Sequence, residues 1–186
     1  MWLPTNAPPP PKRQTSLMSP SLHMHTTTMP RTISLVVFNS PLFPAHWGLW
    51  IPHLSSDLQG TGTYLNATGD AAIGFTVEIE RNYKVGADGW RYQPLPLGDA
   101  ADEHVTDTQV DGSWSVDKIA RDRLEEVVLG VEPPGPSLVA TSSGRPRKRV
   151  EIRNCQTWVH YAVKALVEAG VMDHTALQNV ENAPKD

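Results

Sequence analysis

A single cysteine in a chemically favourable position is the first notable feature of this sequence of 186 residues. Cys155 directly follows Asn154, a residue type that commonly caps helix N-termini, and it precedes a stretch of periodic apolar residues. The first turn of a helix carries unpaired N–H groups and the positive end of the helix dipole. Because such groups lower the pKa of a thiol and hold a developing oxyanion, Cys155 is a candidate nucleophile.

A thiol nucleophile needs a base, and His46 is the candidate. It opens a predicted strand after Pro44 and Ala45, where an imidazole can project from the edge of a sheet toward the start of a helix. A third polar group must then orient the ring. A structural interpretation stays open beside this one. A lone cysteine is most often a small buried apolar residue, and a histidine beside a tryptophan often packs at the end of a strand.

Several short segments in the first half of the chain have the composition of strands. They are rich in β-branched and aromatic residues, and Gly, Pro, Asn and Ser separate them. They lie at 32–38, 46–51, 63–67 and 74–83, with a short piece at 90–93. Since they are close in sequence with short links, they predict an antiparallel meander.

The second half of the chain is predicted to be helical. Residues 115–129 form a first helix, which Gly130 ends and Pro133 prevents from continuing. A second helix follows Asn154 and runs to Ala169, with its apolar positions on one face. The sequence therefore predicts an α+β fold, in which an antiparallel meander packs against a helix that carries the cysteine at its N-terminus.

Three segments, taken in their order, resemble a known superfamily. They are HWGLWI at 46–51, GTYLN at 62–66 and RNCQTWV at 153–159. They look like the lecithin:retinol acyltransferase-like (LRAT-like) branch of the NlpC/P60 superfamily, which has a His-Trp-Ala-Leu-type strand and an Asn-Cys-Glu-His-Phe-type helix start. Histidine before cysteine is the order of a circularly permuted papain-like fold. The resemblance covers roughly residues 32–170 and extends to uncharacterised fungal proteins.

The resemblance implies roles for individual residues. Cys155 matches the nucleophile of that branch and His46 its general base. Asn66 stands where the branch has a second histidine. An asparagine accepts a hydrogen bond from an imidazole but carries no charge, so Asn66 either orients His46 or marks an inactive member. The neighbourhood of the substrate and of the oxyanion is expected to be lined by Asn154, Gln156 and Trp47.

The composition narrows the classes of function. A formal net charge of -4 gives no reason to expect nucleic acid or an anionic membrane surface as a partner. No apolar run reaches the length of a bilayer span. One cysteine cannot form an intramolecular disulfide and supplies too few thiolates for a Cys-based zinc site. Neither a metal nor an organic cofactor is expected.

One domain is predicted at residues 31–175, with a disordered N-terminal tail at 1–30 and a C-terminal tail at 176–186. The first tail is rich in Pro, Ser and Thr and has no hydrophobic period, and Met29 is an alternative start to Met1. Because no secretory signal pattern is present, a cytoplasmic location is expected. The basic cluster at 145–149 offers a nuclear alternative.

Two functions of different classes fit these observations. The first is a thiol-dependent hydrolase or acyl/amide transferase that acts on a peptide-like amide, an isopeptide or a thioester. The second is a non-catalytic member of the same fold that binds a peptide or a protein. A weaker third function is a nucleus-associated binding module that uses the cluster at 145–149. The oligomeric state is not indicated.

Overall fold

The computed structural model describes residues 29–40, 43–54, 60–107, 112–137 and 152–185. The N-terminal tail expected at 1–30 lies outside these ranges except for its last two residues, which are exposed. The basic cluster at 145–149 also lies outside the described residues.

One antiparallel sheet contains all six described strands. These are β1 (Arg31–Phe38), β2 (His46–Pro52), β3 (Gly62–Asp70), β4 (Gly74–Tyr83), β5 (Tyr92–Ala100) and β6 (Ser115–Asp117). Their order in the sheet is β5-β1-β2-β3-β4-β6. The first four strands follow one another as the predicted meander, while β5 returns to pair with β1 and β6 pairs with β4.

The three α-helices of the described residues form a second layer on one face of the sheet. They are α1 (Arg123–Leu129), α2 (Cys155–Glu168) and α3 (Thr175–Glu181). Helix α2 packs on β2 and β3, α3 packs on β5 and on α2, and α1 packs on α2. The core between the two layers is fully buried at Ile33, Leu35, Leu49, Leu65, Ile79, Trp158 and Leu166. The predicted α+β class is therefore confirmed.

The helix predicted over 115–129 is wrong in its first half. Ser115–Asp117 is the short edge strand β6, and α1 begins only at Arg123. Asp117 Oδ1 accepts the N–H of Lys118 at 2.7 Å and that of Ile119 at 3.0 Å, which forms a turn. Ile119 lies in this turn and is 73% exposed, so it does not belong to an apolar helix face.

The strand expected at 90–93 is longer and lies at Tyr92–Ala100. Pro94 and Pro96 lie within it, and proline usually argues against a strand because it lacks an N–H donor. The strand tolerates them because it is at the edge of the sheet and pairs only with β1.

The C-terminal segment expected as a tail at 176–186 includes most of α3 and packs against the core. Ala176, Val180 and Ala183 are buried. Asn179 Nδ2 donates to Leu97 O in β5 at 2.7 Å. A helix of seven residues spans only two turns, so its apolar period is too short to detect in the sequence.

Candidate active site

Helix α2 begins with the cap that the sequence predicts. Asn154 Oδ1 accepts the backbone N–H of Gln156 at 3.1 Å and that of Thr157 at 3.2 Å. Thr157 Oγ1 in turn accepts the N–H of Asn154 at 3.4 Å, which completes a capping box. This cap fixes Cys155 as the first residue of the helix.

Opposing effects set the pKa of the Cys155 thiol. The backbone N–H groups of Trp47, Gln156 and Cys155 itself each lower this pKa. Burial acts in the opposite direction and is the larger effect, so the pKa of Cys155 lies above its ordinary value. The position at a helix start predicted a lowered thiol pKa, and that prediction is wrong because burial outweighs the backbone N–H groups. The same amides that favour a thiolate are present, but the side chain is only 7% exposed.

His46 is the first residue of β2, and the alternation of the strand places its side chain on the face opposite Trp47. Its ring lies beside Phe38, with a centroid distance of 6.3 Å. Burial lowers the pKa of His46, which favours the neutral imidazole. Among the described residues, no hydrogen bond joins the imidazole to Cys155 Sγ. The Trp47 N–H, which lowers the pKa of the thiol, belongs to the peptide unit directly after His46.

Asn66 lies in β3, paired with Gly48 of β2. Its Nδ2 donates to Glu80 Oε1 at 2.9 Å. Its Oδ1 is buried and has no hydrogen-bond partner. The described structure therefore contains no hydrogen bond by which Asn66 orients His46, although both side chains line one cavity.

The side chains of Gln156 and Trp47 anchor neighbouring backbone and do not face the sulfur. Gln156 Nε2 donates to Ala45 O at 2.8 Å and to Lys185 O at 2.9 Å. The Trp47 ring is buried in the core, and its Nε1 donates to Pro184 O at 3.1 Å. What these two residues bring to the site is their backbone N–H groups.

The predicted site residues line two different cavities. One of about 480 Å³ is lined by residues that include His46 and Asn66. The other, of about 410 Å³, lies beside the start of α2 and is lined by Trp47, Asn154 and Gln156, among others. Cys155 lines neither of these two cavities, although its chain neighbours Asn154 and Gln156 line the second.

Tyr64 is a site residue that the sequence reasoning missed. Its ring stacks on Tyr83, with a centroid distance of 4.8 Å, and its hydroxyl is buried without a hydrogen-bond partner. Burial, followed by the charges of Tyr83, Glu80 and Cys155, raises the pKa of Tyr64 well above its ordinary value. The available signal was Gly48, because a glycine inside a strand often marks a close approach by another group.

A second polar cluster, which the sequence did not indicate, follows the end of β2. His53 Nδ1 lies 3.2 Å from Asp107 Oδ1, and Arg31 bonds to both Asp107 and Asp102. This cluster joins the ends of β1 and β2 to the segment after β5. Within the described ranges, no group of three or more His, Cys, Asp or Glu side chains is arranged to hold a metal ion.

The sheet, its helix layer and a thiol at a capped helix start define an α+β protein with a candidate cysteine site. The family model DUF6540, described as a family of unknown function, matches residues 33–173, and the chain belongs to this family. No curated protein and no solved structure matches the chain. In the described part of the chain, no helix is long and apolar enough to cross a membrane.

Proposed function

We propose that the protein is a thiol-dependent hydrolase or acyl/amide transferase with Cys155 as its nucleophile. The observation that carries this proposal is the position of Cys155 as the first residue of the capped helix α2, where unpaired backbone N–H groups favour an anion. Such amides stabilise both a thiolate and the oxyanion that forms when sulfur attacks a carbonyl. The side-chain cap accepts from Gln156 and Thr157 and does not engage the Cys155 N–H.

In the proposed reaction the Sγ–H bond breaks as sulfur attacks the carbonyl carbon, and His46 receives the proton. Backbone N–H groups hold the resulting oxyanion. The leaving amine, or thiol, departs with the proton that His46 returns, and a thioester remains on Cys155. Water or an acceptor nucleophile then attacks the thioester and releases the enzyme. Because the pKa of Cys155 is raised and that of His46 is lowered, the resting state is thiol plus neutral imidazole.

We also propose that the fold is a permuted papain-like arrangement related to NlpC/P60 proteins. What supports this is the order of parts: His46 at the start of a strand, then Asn66 on the neighbouring strand, and then Cys155 at the start of the helix that packs on both strands. Family membership alone assigns no activity, so this relation rests on the order and geometry of the site.

The thiol is the only one in the chain, so its reactivity can be measured directly. We would follow alkylation by iodoacetamide against pH in the wild type, in His46→Ala and in Cys155→Ala, the last as a blank. If His46 acts as the base, its removal slows alkylation near neutral pH by about tenfold or more, with the fold intact by circular dichroism. Identical pH profiles in the wild type and His46→Ala would contradict the pair.

A second candidate is a non-catalytic member of the fold that binds a peptide or a protein. The observations that favour it are the burial of Cys155 and the position of His46 and Asn66 on a separate cavity. Under this alternative, Cys155→Ala leaves ligand binding unchanged, and no thioester forms with any amide or thioester substrate.

A further inference from the structure

The sheet face that the helices leave uncovered carries the cavity of about 480 Å³. Its strand residues Tyr64, Asn66 and Glu80 alternate with Leu65 and Ile79, which are buried in the core. Aromatic side chains make up much of its wall, namely Phe38, Phe43, Tyr64, Tyr83 and Trp90. Phe43 and Trp90 are highly exposed members of this wall, at 72% and 64%.

The charged side chains that line this cavity are both acidic. They are Glu80 and Asp88, and among the described residues no lysine or arginine lines it. Neither carboxylate forms an ion pair with a described side chain. Glu80 instead accepts from two neutral donors, Asn66 Nδ2 and Trp114 Nε1, each at 2.9 Å. The remaining titratable group on the wall besides tyrosine is His46, whose pKa is lowered by burial, so the two carboxylates have no cationic partner within ion-pair distance among the described residues.

Asn66 supplies an independent sign of a missing ligand. The residue is 1% exposed, and its Oδ1 has no hydrogen-bond partner. The orientation of the amide is fixed, since only Nδ2 can donate to the Glu80 carboxylate. Oδ1 is thus a buried, unpartnered acceptor on a residue that lines the same cavity, and buried acceptors are rarely left unpaired.

We propose that this cavity binds the ammonium group of an alkylamine, either a free amine or the lysine side chain of a peptide. An ammonium group brings N–H donors for Asn66 Oδ1 and for the Glu80 carboxylate, together with the charge that the cavity lacks. The aromatic wall adds a cation–π contribution and encloses the alkyl chain. This inference goes beyond the proposed function and does not depend on the thiol.

The experiment is a titration of isotope-labelled full-length protein, followed by NMR at the Trp90 indole and the Asn66 side-chain amide. The probes are n-butylammonium, Nα-acetyl-lysine N-methylamide and neutral n-butanol. We expect both cations to saturate these resonances and n-butanol to bind far more weakly. Tighter binding of the lysine derivative identifies a peptide side chain as the ligand, and equal binding identifies a free amine.

The decisive variant is Glu80→Gln, with Glu78→Gln as its matched control. Glu78 is on the same strand and the same sheet face but does not line the cavity. Glu80→Gln should weaken the Kd of the cations by about tenfold or more, and Glu78→Gln should change it little. Trp90→Leu, at an exposed position, should also weaken cation binding and provides a test that does not touch the core.

Several results would overturn the proposal. Equal affinity for n-butanol and n-butylammonium would show that the cavity recognises only the alkyl chain. If neither cation shifted the resonances, the cavity would not bind alkylammonium groups. If Glu78→Gln and Glu80→Gln weakened cation binding equally, the affinity would come from the overall negative charge and not from a contact with Glu80. Cation binding that persists in Cys155→Ala supports the inference whether or not the thiol is catalytic.

Discussion

Two opposing effects act on the Cys155 side chain. The N–H groups of Trp47, Gln156 and Cys155 favour the thiolate, while burial favours the neutral thiol and is the larger effect. A substrate carbonyl at this site would take over part of the hydrogen bonding that the amides offer. The resting side chain is therefore a protonated, buried thiol. Its reactivity depends on which base takes the proton and which substrate binds beside it.

The raised pKa of Cys155 predicts a loss of stability at alkaline pH. The folded state holds the thiol proton more tightly than the unfolded state, so stability is fully present below the unfolded pKa of about 8.5 and falls as pH rises above it. Urea unfolding at mildly alkaline pH, compared with neutral pH, should show a smaller loss in Cys155→Ala than in the wild type. Equal losses would mean that the thiol titrates alike in both states.

Gly48 is predicted to tolerate no side chain. A Cβ at this position would lie 2.3 Å from the Oη of Tyr64, so the buried tyrosine ring would have to move. Gly48→Ala should therefore destabilise the protein by about 1–3 kcal/mol, measured by urea unfolding. Gly135→Ala is the control, since no atom lies within 4 Å of a Cβ there. Similar effects of the two substitutions would show that the Tyr64 contact is not the cause.

At the scale of the elements, the sequence correctly predicted the strands and helices that short-range sequence patterns define. Strand β4 has the predicted bounds because apolar and polar residues alternate along it, and α2 starts directly after Asn154 and ends at Glu168, one residue before the predicted end. The full length of β5 was not predicted because its prolines argue against a strand. They are compatible only with an edge strand, and the edge position depends on pairing with the distant β1. The start of α1 was misplaced because a turn at Asp117 and a cap at Asp122 separate it from β6.

A buried ion pair ties β4 to α1. Arg81 bonds to both carboxylate oxygens of Glu125, and the two side chains are 1% and 2% exposed. Glu125 Oε2 also accepts the N–H of Arg121 at 2.8 Å, and Arg81 Nη2 donates to Ile119 O at 3.0 Å. The pair therefore fixes the segment between β6 and α1 as well as the helix.

Removing one member of this pair is predicted to be strongly destabilising. Glu125→Ala leaves the Arg81 charge buried without its main partner, and we expect a loss of about 3–5 kcal/mol in the free energy of unfolding. Glu126→Ala, at an exposed neighbouring position on the same helix, should change stability by less than about 0.5 kcal/mol. If Glu125→Ala behaves like Glu126→Ala in urea unfolding, the pair contributes little.

At the scale of the whole molecule, the candidate site depends on contacts that join distant parts of the chain. The order His46, Asn66, Cys155 was readable from the sequence, and the fold brings Cys155 Sγ to the backbone after His46. The pairing of Asn66 with Glu80 was not readable, because it depends on the register between β3 and β4. The same holds for the cavity face, which the alternation of three strands creates.

The C-terminal segment is also part of this long-range assembly. Pro184 O accepts the Trp47 indole N–H at 3.1 Å, and Lys185 O accepts from Gln156 Nε2 at 2.9 Å and from the Ala45 N–H at 3.4 Å. These carbonyls thus hold together the start of β2 and the start of α2, the two elements that surround the sulfur.

A chain that ends after Asn182 is predicted to be less stable and to have a more accessible thiol. It loses the buried Ala183 and three hydrogen bonds, those from the Trp47 indole, Gln156 Nε2 and the Ala45 N–H, which should cost about 1–3 kcal/mol. Alkylation of Cys155 by iodoacetamide should then be faster at the same pH, because less chain covers the start of α2. A chain that ends after Lys185 keeps all three contacts and serves as the control. If the shorter chain unfolds at the same urea concentration and is alkylated at the control rate, the C-terminal segment neither supports nor covers the site.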